Sequence, residues 1–160
     1  MANDIFLTAE GAVKIKAELE ELKGPARQAL SKRLRSAIQM GDLSENADYH
    51  KAKEDQSFLE GRIQELEYIL HNAIVVEENS ISKDRVSVGT RVTIQPVGLR
   101  EEDFPPEIYY VVGAQEADPR NGKISNESPI GRALLDHRVG EVVEAETPGG
   151  KIKLKILKIE

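Results

Sequence analysis

Gly41-Asp42-Leu43-Ser44-Glu45-Asn46-Ala47-Asp48-Tyr49-His50, GDLSENADYH, separates two stretches of helical periodicity, and the fold turns on how it is read. On its N-terminal side Ile15, Leu19, Leu22, Ala26, Leu30, Leu34 and Ala37 recur in steps of three or four, which traces one stripe along a helix. On its C-terminal side Ala52, Leu59, Ile63, Leu66, Leu70 and Ala73 form a second stripe, with Phe58 beside it and charges on the other faces. Each stripe needs a partner, and only a few residues separate them. The chain is therefore expected to fold one helix back on the other as an antiparallel coiled-coil hairpin over residues 1–76, with an acidic tip at 41–48. An arm of about 30 residues reaches about 45 Å at about 1.5 Å per residue, so the distal end is expected to project into solvent. Thr8, followed by Gly11, is expected to cap the first arm, and Gly24-Pro25 to kink or locally break it.

Past Ala73 the helical period stops and β-branched residues take over. Ile74 to Val76, Val86 to Val88, Arg91 to Ile94, Ile108 to Val112, Val142 to Ala145 and Lys151 to Ile159 read as strands. The last alternates apolar and polar residues for most of its length, as a strand with one buried and one wet face does, and Thr147-Pro148-Gly149-Gly150 is the turn before it. Ser128 and Pro129 are the cap and first position of a short helix running to about Leu135. Residues 77–160 thus read as a compact α+β domain following the hairpin.

Composition narrows the chemistry. The 160 residues include no cysteine, which excludes disulfides and thiolate metal sites and leaves oxygen or imidazole as metal ligands. The first residues lack the basic and apolar pattern of a signal peptide, and no stretch approaches the roughly 20 apolar residues of a membrane span, so a cytoplasmic protein without a membrane partner is expected. A net charge of −6 argues against binding nucleic acid through bulk charge alone.

The charge is distributed unevenly, however. From Arg27 to Gly41 the sequence carries Arg27, Lys32, Arg33 and Arg35 and no acid, after which Asp42, Glu45 and Asp48 stand together. If the hairpin reverses near Leu43, Arg35 faces Lys51 and Arg33 faces Lys53, forming a basic girdle behind an acidic end. Two readings of the acids stay open. In one, Asp42 and Glu45 form a capping box for the second helix. In the other, they offer hard oxygen ligands to Mg²⁺, with the bases on phosphates, and complete a site supplied by a partner, since two carboxylates alone bind Mg²⁺ poorly. The girdle is equally consistent with a solvated helix face. His50 near a helix start reads first as a surface or packing residue, and His71 and His137 have no partner at metal spacing. Tyr49 either stacks on a base or covers the hairpin junction.

The segments GDLSENADYHKAKEDQSFLEGRIQELE, Gly41 to Glu67, and ISNESPIGRALLDHRVGEVVEAETPGGKIKLKILKIE, Ile124 to Glu160, resemble the bacterial Gre-type transcript-cleavage factors, and the similarity extends to the opening LTAEGAVKIKAELEELK. The resemblance implies an N-terminal hairpin that enters the secondary channel of RNA polymerase and an FKBP-like C-terminal domain, with an antiparallel sheet, that docks on the polymerase rim. It implies that Asp42 and Glu45 help hold a Mg²⁺ shared with the polymerase active centre, none being bound stably by the free protein. The polymerase itself, not this chain, then hydrolyses the backtracked 3′ segment of the nascent RNA. It places polymerase docking at Glu127, Ser128 and Pro129 and implies a monomer in the functional complex. Ile38 stands where the family often has arginine, Met40 where a polar residue is common, and Gly24-Pro25 where Arg-Pro is usual, while Lys53 remains basic. RNA contact is accordingly expected from Arg33, Arg35, Lys51 and Lys53. The alternatives are a Gre-like channel-binding inhibitor that does not stimulate cleavage, an FKBP-like prolyl isomerase, for which the chain is poor in aromatics, and a coiled-coil scaffold.

Overall fold

The computed structural model describes residues 4–41 and 45–160. The chain is α+β and divides into two units, one formed by Ala12–Asn72 and the other by the described residues up to Gly11 together with Ala73–Glu160. The boundary expected between residues 76 and 77 thus differs from the observed division, because the start of the chain belongs to the sheet-containing unit.

The first unit is the helical hairpin. Its first arm comprises α1 (Ala9–Glu21), a π-helical segment Leu22–Ala26 and α2 (Arg27–Gln39), and its second arm is α3 (Ala47–Asn72). The expected break at Gly24-Pro25 is absorbed as this π-helical segment, whose flanking residues Glu21 and Arg27 both keep right-handed helical dihedrals. Proline has no N–H to donate and its ring crowds the carbonyl one turn back, and widening the turn relieves both without ending the helix. The stripes meet as expected, with Ile15, Leu30, Ala37, Ala52, Ile63 and Leu66 buried. Ile69 is also buried, where the periodicity pointed to Leu70 instead. Phe58 is 67% exposed and contributes little to the seam. Ion pairs bracket the seam: Arg27 grips Glu60 through two bonds of 2.8 and 2.7 Å, Arg62 reaches Glu18 at 2.9 Å, and Lys23 reaches Glu67 at 3.1 Å.

In the second unit β1 (Phe6–Thr8) pairs in parallel with β2 (Ile74–Val76), Phe6 opposite Ile74. The N-terminal strand was not legible as one, and the helix begins only at Ala9, capped as expected by Thr8, whose Oγ1 accepts the Gly11 N–H at 3.0 Å. The main sheet contains β3 (Arg91–Pro96), β4 (Glu107–Val112), β5 (Lys123–Ser125), β6 (Val142–Thr147) and β7 (Gly150–Ile159) in the order β5-β4-β3-β7-β6. It is antiparallel except that the edge strand β5 joins β4 in parallel. Val86 to Val88, expected as a strand, form no ladder. Val86 instead exchanges backbone bonds with the loop after α4 (Pro129–Leu134), donating to His137 O at 2.9 Å and accepting from Asp136 N at 2.9 Å.

β7 explains the imperfect alternation of its own sequence. The register against β3 shifts between Thr93, opposite Lys158, and Ile94, opposite Ile156, which leaves Leu157 as an extra residue. That bulge changes the parity of the strand, so Ile156 and Ile159 both face the core while Leu157 is 40% exposed. The core joins Val92, Ile94, Val111, Leu154 and Ile156 to Leu134 of α4. No described helix is long and apolar enough to cross a membrane.

Candidate functional site

α2 ends where Met40 N–H turns back to the Ala37 carbonyl at 3.2 Å, and Gly41 follows with φ 113°, a dihedral that glycine adopts without a side-chain clash. Asp42, Leu43 and Ser44 lie outside the described residues, so the expected tip acid Asp42 is not placed. The described chain resumes at Glu45, and α3 begins at Ala47. The capping-box reading gives way at this point. The cap of α3 is Asn46, whose Oδ1 accepts the Tyr49 N–H at 3.1 Å, with His50 N–H following onto the Asn46 carbonyl at 3.1 Å. Glu45 precedes this cap and so cannot be the third residue of the helix. It is exposed, with no hydrogen bond or ion pair among the described residues. Asp48 lies in the first turn of α3, where the helix dipole favours a carboxylate.

Behind the tip the four expected RNA-contacting bases are all exposed but differently engaged. Arg33 from α2 and Lys51 from α3 converge on one carboxylate, Asp55, at 3.0 and 3.2 Å. The Arg33 bond, and then the Lys51 bond, hold the Asp55 carboxyl below the usual carboxylate range. Lys53 donates to Gln56 Oε1 at 3.1 Å, and Arg35 has no hydrogen bond or ion pair among the described residues. Lys32, not among those four, shares a groove of about 530 Å³ with Arg33, Ser36, Met40 and Asp48. Asp55 was missed by sequence reading because its local signal, four residues after Lys51, is that of an ordinary helix-surface pair. Tyr49 and His50 make an edge-on ring contact at 5.7 Å, and His137 pairs with Glu141 at 3.5 Å.

The expected docking residues lie in the other unit, at the start of α4. Ser128 is its cap, accepting the Gly131 N–H at 3.0 Å and donating to the Ser125 carbonyl at 2.7 Å. Glu127 N–H bonds Ser125 Oγ at 3.0 Å, and the Glu127 carbonyl accepts from Arg132 Nε at 2.6 Å. Gly131 is packed so closely that a Cβ there would lie 2.9 Å from Ser128 Oγ and 3.0 Å from the Ser125 carbonyl carbon. The Glu127 and Pro129 side chains are left exposed on a rigid corner. Nearby, Ile94, Phe104, Tyr109, Ile130, Ile152 and Leu154 line an apolar groove of about 590 Å³. Burial, and then the Glu107 carboxylate 2.6 Å away, push the Tyr109 hydroxyl up to about 12.

Comparison with known families accounts for both units. Residues 5–75 match the family model for the transcription elongation factor N-terminal domain, and residues 81–160 that for the GreA/GreB C-terminal domain. The chain belongs to the GreA/GreB family of transcription elongation factors. Among relatives, it is 48% identical to transcription elongation factor GreA of Thermoanaerobacter pseudethanolicus, with 99% of each chain covered. It is 45% identical to GreA of Acetivibrio thermocellus, over 98% of this chain and 96% of the relative. The solved GreA factor homolog 1 of Thermus thermophilus aligns at 30% identity over 99% of both chains with a TM-score of 0.44. Within this GreA/GreB framework Glu45 belongs to the N-terminal family domain, and Glu127, Ser128 and Pro129 to the C-terminal one.

Proposed function

We propose that this chain binds RNA polymerase and stimulates Mg²⁺-dependent hydrolysis of the 3′ end of backtracked nascent RNA, acting as a cofactor and not as an enzyme in its own right. The observation that carries this reading is the state of Glu45. Its carboxylate is exposed at the end of the hairpin and consumed neither by the helix cap, which Asn46 provides, nor by an ion pair among the described residues. Carboxylate oxygen is the donor that Mg²⁺ prefers, so this residue fits the ion. Mg²⁺ takes about six oxygens, and Glu45, with Asp42 beside it in sequence, would add to ligands drawn from the polymerase, phosphates and water. When bound, the ion supplies the positive charge that activates a water and steadies the phosphate undergoing displacement.

The remaining residues have supporting roles. Arg33, Arg35, Lys51 and Lys53 face phosphates of the extruded RNA, Asp55 holding Arg33 and Lys51 in place between turnovers. Glu127, Ser128 and Pro129 present the corner that docks on the polymerase. The functional complex holds one copy of the chain, in the cytoplasm. The runner-up, a channel-binding inhibitor, shares every feature except the use of the acids. Prolyl isomerase activity is disfavoured, because Phe104 and Tyr109 are the only aromatic residues lining the groove among the described residues and the Tyr109 hydroxyl is already bound to Glu107.

The test is cleavage of stalled, 3′-labelled elongation complexes. Wild-type protein with Mg²⁺ should release short labelled fragments, and Glu45→Gln should lose most of that stimulation while still competing for polymerase. Polymerase binding without fragments from the wild-type protein would establish the inhibitor instead, and full cleavage by Glu45→Gln would remove the carboxylate from the mechanism.

A further inference from the structure

We infer that Asn46 is the positioning residue for Glu45: its side-chain amide ties the end of α2 to the start of α3 and fixes the backbone from which the tip carboxylate extends. The inference rests on the reading of Glu45 as a shared metal ligand. Asn46 Nδ2 donates to the Ala37 carbonyl at 2.6 Å, while its Oδ1 accepts the Tyr49 N–H at 3.1 Å. The two partners leave no choice of amide orientation, because a carbonyl needs the NH₂ and an N–H needs the oxygen. One planar group therefore serves a terminal N–H of α3, which has no acceptor within its own helix, and a terminal carbonyl of α2, whose second lone pair remains open beside the Met40 N–H.

Ala37 is itself a fixed point, buried in the seam at 2% exposure. A side chain anchored to it at one end and to the first turn of α3 at the other has little torsional freedom left. Glu45 is the next residue along the backbone, so its Cα is held to the hairpin by one peptide unit. Without the tie to Ala37, α3 would still be capped by Asn46, but the direct link from its start to the end of α2 would be lost. The carboxylate would then sample more positions than a Mg²⁺ site tolerates.

Asparagine alone among small polar residues does both jobs. Aspartate retains the oxygen that caps Tyr49 and adds a charge that the helix N-terminus favours, but it sets an oxygen against the Ala37 carbonyl. Serine also caps but has no second group to reach α2. Both substitutions therefore separate the cross-tie from the cap.

The experiment compares wild type, Asn46→Asp, Asn46→Ser and Glu45→Gln in the 3′-cleavage assay at saturating protein, with Mg²⁺ titrated. Loss of an orienting partner typically costs about 10- to 100-fold in metal affinity or activity. Both Asn46 variants should therefore need about tenfold more Mg²⁺ for half-maximal stimulation, with unchanged competition for polymerase, helicity and melting temperature. Wild-type Mg²⁺ dependence in both variants, alongside an inactive Glu45→Gln, would overturn the role of Asn46 and leave the tip reading intact. Activity lost only together with helicity or polymerase binding would overturn it as well, assigning Asn46 to folding. Full activity of Glu45→Gln would overturn both.

Discussion

The junction where α1 leaves the sheet unit supports a prediction in which one substitution changes sign with its background. Glu116 accepts the Thr8 backbone N–H at 2.8 Å with one carboxylate oxygen and the Thr8 hydroxyl with the other, while that hydroxyl caps Gly11 N–H. Thr8 is 4% exposed, so removing the acceptor strands an N–H and an O–H away from water. At about 1–3 kcal/mol for each group, moderated because Glu116 itself is part-exposed, Glu116→Ala should cost about 2–4 kcal/mol. Gly11 lies directly beneath the same carboxylate, and an added Cβ would lie 2.7 Å from Glu116 Cγ. Gly11→Ala should therefore expel Glu116 and lose the same bonds, offset by the roughly 1 kcal/mol that alanine gains over glycine inside a helix. Alone, it should destabilise by about 1–3 kcal/mol. In the Glu116→Ala background the obstruction is gone, and Gly11→Ala should then stabilise by up to about 1 kcal/mol. Calorimetric melting of the four proteins of this cycle measures the coupling, expected at about 2–4 kcal/mol. Simple additivity, or a Gly11→Ala cost that persists without Glu116, would refute the reasoning.

Two further predictions concern the hairpin. Arg33 and Lys51 depress the folded-state pKa of Asp55, so its contribution is present above the ordinary carboxylate value of about 4 and lost as pH falls through the lower folded value. Asp55→Asn should accordingly melt below wild type at neutral pH, and the gap should close as the pH falls below the ordinary carboxylate range, as followed by circular dichroism; a gap independent of pH would assign the loss to packing. Leu66, 1% exposed, should cost about 2–5 kcal/mol as Leu66→Ala in denaturant titration, and Phe58, 67% exposed, should cost within about 0.5 kcal/mol as Phe58→Ala. Comparable losses from the two would mean that Phe58 packs in solution.

Much of the architecture is written in local pattern. Two helical stripes joined by a few residues can bury their faces only against each other, and this alone determines the hairpin. The Thr8 cap, the Ser128-Pro129 helix start and the alternation of β7 are likewise local, because each depends on backbone groups within a few residues. Tertiary structure decided whatever depends on a distant partner. Phe6–Thr8 is a strand only because Ile74–Val76 returns alongside it, and Val86 is buried against the loop at His137 without joining a ladder. The displaced parity of Ile156 and Ile159 was visible in the sequence, but the bulge at Leu157 became interpretable only against β3. At the tip, the sequence supplied an acid, an amide and a helix start, and left open whether the acid caps or stays free. That choice fell to Ala37. Its carbonyl, at the end of the other helix, engages the Asn46 amide, which also caps α3 and leaves Glu45 outside the helix.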